Sequence, residues 1–188
     1  QEITDEISSE IEEHLQLAFS EAPVEANLKN ELQDVYETAE ETKNFPSEDT
    51  QEIRFVDAIA QSIDESMQRH PDLVLMGQDI AEYGGVFKIT EGMLERYGKD
   101  RVRNTPICES AIVSTAVGLA INGMKAMVEM QFGDFVSSGF NPIVNYLAKL
   151  KYRWDQSANV VIRMPCGAGV GAGPFHSQSN EAWFTKVP

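Results

Sequence analysis

Cysteine is scarce in this sequence, and long apolar runs are absent. The 188 residues include only two cysteines, Cys108 and Cys166, whose separation fits neither a metal-binding motif nor a disulfide framework. Two reduced thiols are typical of a cytoplasmic protein. No apolar run reaches the roughly 18 residues that a membrane helix needs. We therefore expect a cytoplasmic protein that does not enter the membrane.

Basic residues are also few, and the charge is unevenly distributed. The whole chain has 15 Lys and Arg against 30 Asp and Glu. Residues 1–52 contain 16 acidic and 2 basic side chains, whereas residues 53–188 contain 14 and 13. Neither part has the basic stripe that binding to a phosphate backbone requires, so nucleic acid is excluded as a partner. The pattern indicates an acidic extension followed by a nearly neutral domain.

The acidic extension predicts a helix and a linker. Residues 4–20 have the spacing of an amphipathic helix, and a turn or short helix is expected around 32–36. The apolar stripe of the first helix consists of Ile7, Ile11, Leu15 and Phe19. Residues 37–52 have almost nothing to bury and predict an exposed acidic linker. The expected domains are therefore a helical tail over 1–36, this linker, and a folded domain over 53–188.

The folded domain shows alternating helical and strand patterns, which predict an α/β fold with a mainly parallel sheet flanked by helices. Helices are predicted at 55–67, 90–97, 109–122 and 137–152, and strands at 73–77, 125–132 and 159–164. Phe55 is expected to face the core, and Thr90 to cap its helix. Ligands bind such sheets at the carboxyl ends of the strands. The loops expected at that edge are 78–87, 104–109, 131–135 and 165–178.

Glu109 follows an extended segment and opens the helix over 109–122. An acid in a first helical turn is favoured by the helix dipole alone. The alternative is a carboxylate at the mouth of an apolar pocket, where it binds one heteroatom of a ligand. Position alone leaves both interpretations open.

His176 follows a glycine-rich stretch. A loop histidine without a catalytic role and an active-site histidine are both compatible with this position. Gly167, Gly169 and Ala172 have the spacing of a dinucleotide-binding fingerprint, but that motif needs a helix at its end. Gly173 is followed by proline, which disfavours dinucleotide binding.

Four segments resemble one enzyme family. They are LMGQDIAEYGGVFKITEGMLERYG, VRNTPICESAIVSTAVGLAINGMKAMVEMQFGDFV, NPIVNYLAKLKYR and FHSQSNEAWF. In this order they are similar to the pyrimidine-binding domain in the beta subunit of 2-oxo acid dehydrogenases, of the branched-chain (2-oxoisovalerate) or pyruvate type. Residues 4–38 resemble the C-terminal tail of the alpha subunit. The two resemblances together predict a piece of an alpha–beta fusion polypeptide.

The resemblance implies a set of site residues and a cofactor, thiamine diphosphate. Glu109 matches the glutamate that hydrogen-bonds the ring nitrogen N1′ of the aminopyrimidine and so activates the cofactor. His176 matches the histidine that helps transfer the acyl group to the lipoyl arm. The positions matching the rest of the pyrimidine pocket are Ile107, Gln131 and Phe135. Positions whose main-chain carbonyls hold potassium in some members match Ala158, Val160 and Val161.

The resemblance also implies partner domains, and two positions of this sequence depart from the family pattern. Magnesium and the diphosphate would be held by an alpha-type domain, since no Gly-Asp-Gly…Asn motif occurs in this sequence. A C-terminal beta domain, the lipoyl domain of an acyltransferase and further copies of the chain complete the expected assembly. Gln78 stands where the family commonly has Glu, and Asn180 stands where it has Pro.

The leading hypothesis is therefore one part of a 2-oxo acid dehydrogenase that acts on branched-chain 2-oxo acids, the isolated piece being inactive. Pyruvate is the alternative substrate. A transketolase-type enzyme shares the expected fold, but the SQS segment and the alpha-like tail argue against it. A non-catalytic assembly module is the alternative from a different class.

Overall fold

The protein divides into two compact units in a computed structural model that describes residues 1–37, 45 and 47–188. The first unit comprises residues 1–33 and the second residues 34–188. Half of the predicted linker, residues 38–44 and 46, lies outside the described residues.

The first unit contains a long helix, α1 (Glu2–Ser20), which confirms the helix predicted over 4–20. Every residue of α1 is exposed, including its apolar stripe. A second helix, α2 (Leu28–Val35), is longer than the turn expected around 32–36. It begins where the Asn27 side-chain oxygen accepts hydrogen bonds from the next backbone N–H groups, as helix-capping residues do.

The second unit is built on a four-stranded sheet in which all strands are parallel, in the order β2-β1-β3-β4. The strands are β1 (Leu73–Gly77), β2 (Val102–Asn104), β3 (Lys125–Glu129) and β4 (Val160–Arg163). The helices are α3 (Phe55–Arg69), α4 (Met93–Tyr97), α5 (Glu109–Ile121) and α6 (Leu150–Trp154). The α/β fold class is thus confirmed, while β2 was not among the predicted strands.

The central strand β1 explains why helices cover both faces of this sheet. Its side chains alternate between the faces, and all five residues are buried. Leu73 and Leu75 belong to the core cluster formed with α3 and α4. Val74 and Met76 belong to the cluster formed with α5.

Two local predictions are wrong. Phe55 is 82% exposed, because it lies about 100° around the helix from the centre of the core-facing stripe of α3, which runs from Val56 to Met67. Thr90 does not cap α4. Its hydroxyl donates a 2.6 Å hydrogen bond to the Ile80 carbonyl, and the helix begins only after Gly92, whose φ of 75° is left-handed.

The helix predicted over 137–152 is also wrong as a single element. The chain forms short 3₁₀, π and α segments, which run through Gly133–Gly139, Pro142–Tyr146, Leu147–Lys149 and α6. Pro142 lacks the N–H that a continuous α-helix needs at this point, so the helical ladder changes register there. The strand predicted over 125–132 ends earlier, at Glu129.

Candidate functional site

The carboxyl ends of all four strands lie at one edge of the sheet, because the strands are parallel. Each loop predicted for this edge begins at or just after the end of a strand. The strands end at Gly77 (β1), Asn104 (β2), Glu129 (β3) and Arg163 (β4). The chain turns sharply after β1, where Asp79 has a φ of 57° and its carbonyl accepts a 2.9 Å hydrogen bond from the Gly85 N–H. This edge carries most of the residues singled out from the sequence.

Glu109 is a buried carboxylate at the first residue of α5. Only 8% of its surface is exposed, and its Oε1 accepts a 3.0 Å hydrogen bond from Nε2 of Gln78, which is 4% exposed. Its Oε2 accepts no hydrogen bond from the described part of the chain. The start of a helix favours negative charge, and Gln78 supplies the donor that a buried carboxylate requires. One oxygen is therefore anchored and the other is free to bind a ligand.

The segment after β3 packs closely against the start of α5. A Cβ at Gly139 would lie 3.4 Å from the Glu109 backbone oxygen and 2.9 Å from the Met130 Cε, so a side chain there would require the end of Met130 to move. Gln131 lies at the beginning of this segment and donates a 3.2 Å hydrogen bond to Asp79. The structure thus joins Glu109 and Gln131 through the neighbouring residues that follow β1.

His176 belongs to an aromatic cluster at the same edge. Its ring centroid lies 5.0 Å from that of Phe132 and 5.3 Å from that of Phe135, both in edge-to-face geometry. Phe87 extends the cluster, with its ring 6.1 Å from that of Phe132. Phe135 and His176, which are 41 positions apart, are therefore brought into contact, while their roles stay predictions.

Polar contacts hold the loop of His176 on the segment after β3. Gln178 donates to Oδ1 of buried Asp134 from its backbone N (3.3 Å) and from its Nε2 (2.9 Å). Asn180 is also buried, and its Nδ2 donates a 3.2 Å hydrogen bond to the Gly133 carbonyl. Sequence reasoning did not assign Asp134, Gln178 or Gln78 to the site, since each acts through a partner distant in the sequence.

The remaining candidate residues lie apart from this cluster. Ile107 is close to Glu109 in the sequence, but its side chain is 85% exposed. The possible potassium ligands occupy the amino-terminal end of β4, at the edge opposite to Glu109: Ala158 just before the strand, and Val160 and Val161 within it. Their role stays a prediction.

A largely buried ion pair lies at the carboxyl ends of β3 and β4, next to this edge. Arg163 Nη1 lies 2.7 Å from Glu129 Oε2 across the ends of β3 and β4, as a close ion pair without hydrogen-bond alignment. Burial raises the pKa of the Glu129 carboxyl, and the charge of Arg163 works in the opposite direction.

Other classes of site find little support. In the part of the chain that the structure describes, no group of three or more His, Cys, Asp or Glu residues could hold a metal ion. No described helix combines the length and apolar character needed to cross a membrane. Gly167, Gly169 and Ala172 span a single short 3₁₀ segment, Ala168–Val170, and residues 173–180 that follow them contain no helix, so the helix that dinucleotide binding needs is not formed there.

Fold and site together define an α/β domain whose parallel sheet carries, at its carboxyl edge, a buried carboxylate and a cluster of aromatic rings. Residues 51–188 match the family described as transketolase, pyrimidine binding domain. The chain belongs to this family.

Relatives of the chain include beta subunits of 2-oxo acid dehydrogenases, which confirms the beta-subunit resemblance of residues 53–188, while the alpha-tail resemblance of residues 4–38 stays a prediction. The chain is 42% identical over 138 residues to the 2-oxoisovalerate dehydrogenase subunit beta of Bacillus subtilis, covering 72% of this chain and 42% of the relative. It is 40% identical to the corresponding subunit of Pseudomonas aeruginosa, covering 72% and 39%. It is 41% identical to the pyruvate dehydrogenase E1 component subunit beta of Acholeplasma laidlawii, covering 72% and 42%.

A solved structure supports the fold independently. It is a split-gene transketolase described as an inactive beta4 tetramer, with a TM-score of 0.53 and 21% identity, covering 70% of this chain and 39% of that one. The chain spans about two fifths of the length of the curated relatives named above.

Proposed function

We propose that this chain provides the pyrimidine-binding half of a thiamine-diphosphate-dependent 2-oxo acid dehydrogenase. In the overall reaction a 2-oxo acid loses CO2, and its acyl group passes to a lipoyl disulfide. One lipoyl sulfur becomes a thioester and the other a thiol, so the acyl carbon is oxidised as the disulfide is reduced. The observation that carries the proposal is buried Glu109, held by Gln78 at the start of α5.

The residues at the sheet edge fit the aminopyrimidine ring of the cofactor. Oε2 of Glu109 would hold a proton at the ring nitrogen N1′, while Gln78 keeps Oε1 in place. Phe135 and Gln131 lie on the segment that packs against α5, where an aromatic ring and an amide suit a flat heterocycle. Bound thiamine diphosphate would supply a nucleophilic carbon that attacks the 2-oxo carbon.

His176 would act in the second half of the reaction. When the lipoyl disulfide opens, the departing sulfur needs a proton, and an imidazole can supply one near neutral pH. Edge-to-face contacts with Phe132 and Phe135 orient the ring from two sides. We assign the proton transfer to His176 and the activation of the cofactor to Glu109.

The site would be completed by other polypeptide segments. Several large apolar side chains near this edge are exposed, among them Ile107, Tyr83 and Phe175, and such surfaces mark contacts with partners. We propose an alpha-type domain as the partner that covers them and holds magnesium and the diphosphate. A C-terminal beta domain, the lipoyl domain of an acyltransferase and further copies of this chain would complete a cytoplasmic complex. Potassium at the amino-terminal end of β4 would be structural.

For the substrate we propose a branched-chain 2-oxo acid. Pyruvate is the second candidate, because a pyruvate dehydrogenase beta subunit is as similar to this chain as the 2-oxoisovalerate dehydrogenase subunits are. Turnover of 3-methyl-2-oxobutanoate and pyruvate by the assembled enzyme distinguishes them. A higher kcat/KM for pyruvate would contradict the choice.

Replacing Glu109 with Gln tests the central assignment. The variant keeps the size of the side chain but removes the charge that holds a proton at N1′. CO2 release by the assembled enzyme, measured with an artificial electron acceptor, should fall by about 10²–10⁴-fold, the usual contribution of general acid–base catalysis.

Glu95→Gln provides the matched control, because Glu95 is also an acid in a first helical turn but lies exposed on α4. Its activity should stay within about twofold of the parent, as expected of a surface substitution. A Glu109→Gln enzyme that binds thiamine diphosphate and releases CO2 at the parent rate would remove Glu109 from the mechanism.

A further inference from the structure

We propose that Asp134 and Asn180 are positioning residues for His176, fastening its loop to the segment that follows β3. The catalytic meaning of this assignment rests on the function proposed above. We call the hydrogen bonds between this loop and the segment after β3 the clamp; they are contacts within this chain.

The first bridge encloses the histidine within a closed turn. Both the backbone N and the Nε2 of Gln178 donate to Oδ1 of Asp134, at 3.3 and 2.9 Å. The same Nε2 also donates to the Pro174 carbonyl. Gln178 therefore ties together the residues on either side of His176 and fixes the resulting turn to a buried carboxylate.

The second bridge lies two residues further along the loop. Asn180 is 8% exposed, and its Nδ2 donates a 3.2 Å hydrogen bond to the Gly133 carbonyl. A Cβ at Gly133 would lie 3.0 Å from the Cys166 Cβ, so a side chain there would require this neighbour to shift. The proline that the family has at position 180 could not donate this bond, so the second bridge depends on the asparagine amide.

The residues that accept the bridging hydrogen bonds and the aromatic residues that contact His176 all lie within residues 132–135. Phe132 and Phe135 contact the His176 ring, and Gly133 and Asp134, which lie between them, accept the bridging hydrogen bonds. Movement of the loop relative to this segment would therefore displace the imidazole from both rings at once. Proton transfer depends steeply on such placement.

Asn180→Ala in the assembled holoenzyme tests the proposal, with Asp134→Leu as a second variant that keeps the branched shape but removes the acceptor of the first bridge. The first readout is the rate at which diethyl pyrocarbonate modifies His176, resolved by mass spectrometry. His14 on α1 serves as an internal reference for the reagent. Loss of one buried hydrogen bond changes an opening equilibrium by up to about tenfold, so we expect modification to be three- to tenfold faster.

The second readout separates the two halves of the reaction. Acylation of the lipoyl domain should fall by about tenfold, while CO2 release with an artificial acceptor and the KM for the 2-oxo acid stay within about twofold of the parent. Asn145→Ala is the matched control, since its amide makes a 2.8 Å hydrogen bond to Asn141 on an exposed surface. That variant should change neither readout.

Three outcomes would overturn the positioning role: unchanged modification of His176, unchanged acylation, or an equal loss in both half-reactions. An equal loss would mean that the residues stabilise the domain as a whole. A parent enzyme that neither releases CO2 nor acylates lipoyl groups would instead refute the proposed function. The modification rates would then decide alone whether the clamp exists, faster modification supporting it and unchanged rates refuting it.

Discussion

Replacement of Gln78 with Leu tests whether this amide anchors Glu109. Leucine has a similar size but no N–H group, so Oε1 of Glu109 would be left in a buried position without its 3.0 Å donor. Both side chains are more than nine-tenths buried, and water cannot replace the lost bond without opening the site. We therefore expect the hydrogen bond between Gln78 and Glu109 to contribute as much to stability as other hydrogen bonds to charged groups that are shielded from water.

The expected loss of stability follows from that burial. A hydrogen bond to a charged group contributes about 1.5–3 kcal/mol, and leaving a buried acceptor unsatisfied costs a similar amount. We therefore expect the free energy of unfolding to fall by about 2 kcal/mol. For a domain of this size, that corresponds to a Tm lower by roughly 4–8 °C.

A double-mutant cycle separates the pair from general damage to the core. Urea denaturation is measured for Gln78→Leu, for Glu109→Met, which removes the acceptor oxygen, and for the combined variant, and the interaction free energy is obtained from the three differences. The control is Gln61→Leu on α3, where Gln61 makes the same kind of hydrogen bond to Glu65 at 2.9 Å on an exposed surface. That change should cost less than about 0.5 kcal/mol. Strictly additive losses in the cycle, or equal losses for Gln78 and Gln61, would refute the reasoning.

Two further predictions concern the elements that support the sheet edge. The hydroxyl of Tyr97, 2.6 Å from Asp64, holds the pKa of that carboxyl below its usual value. This contribution to stability is present at neutral pH and is lost as the pH falls below about 4. Asp64→Asn should therefore reduce the fall in the free energy of unfolding between neutral and acidic pH. An unchanged dependence on pH in this range would contradict the prediction. Gly85→Ala should lower the free energy of unfolding by about 1–3 kcal/mol, because φ is 77° and the new Cβ would lie 3.3 Å from Glu129. Gly92→Ala, with φ 75° and open space around it, isolates the backbone cost in urea denaturation and should lose less.

Local patterns were sufficient for the parts of the fold in which burial and periodicity agree. The run LVLMG predicted β1 with its correct bounds, since a strand covered on both faces is apolar throughout. The position of Glu109 at the start of α5 also followed from the sequence alone. Thr90 shows where local rules fail, because its hydroxyl bonds a carbonyl ten residues earlier in the chain instead of capping the next helix.

The contacts that build the site could not be predicted from local pattern, because they join residues far apart in the chain. Gln78 and Glu109 are separated by 31 positions, and Gln178 and Asp134 by 44. The sequence indicated that several loops meet at one edge of the sheet, but pairing depends on strand order and on β2, which was not predicted. The importance of these amides therefore emerges only in three dimensions.

The two positions that the resemblance marks as departures, Gln78 and Asn180, share one physical feature. An ionised glutamate at position 78 and a proline at position 180 could not donate a side-chain hydrogen bond. Gln78 and Asn180 each add an N–H group, directed at Glu109 Oε1 in one case and at the Gly133 carbonyl in the other. Both acceptors are thus satisfied by neutral amides, whose donor capacity does not change with pH. The carboxylate assigned to the cofactor and the loop assigned to acyl transfer are therefore both held by amide N–H groups. Neither contact requires an acidic side chain to be protonated before it can donate.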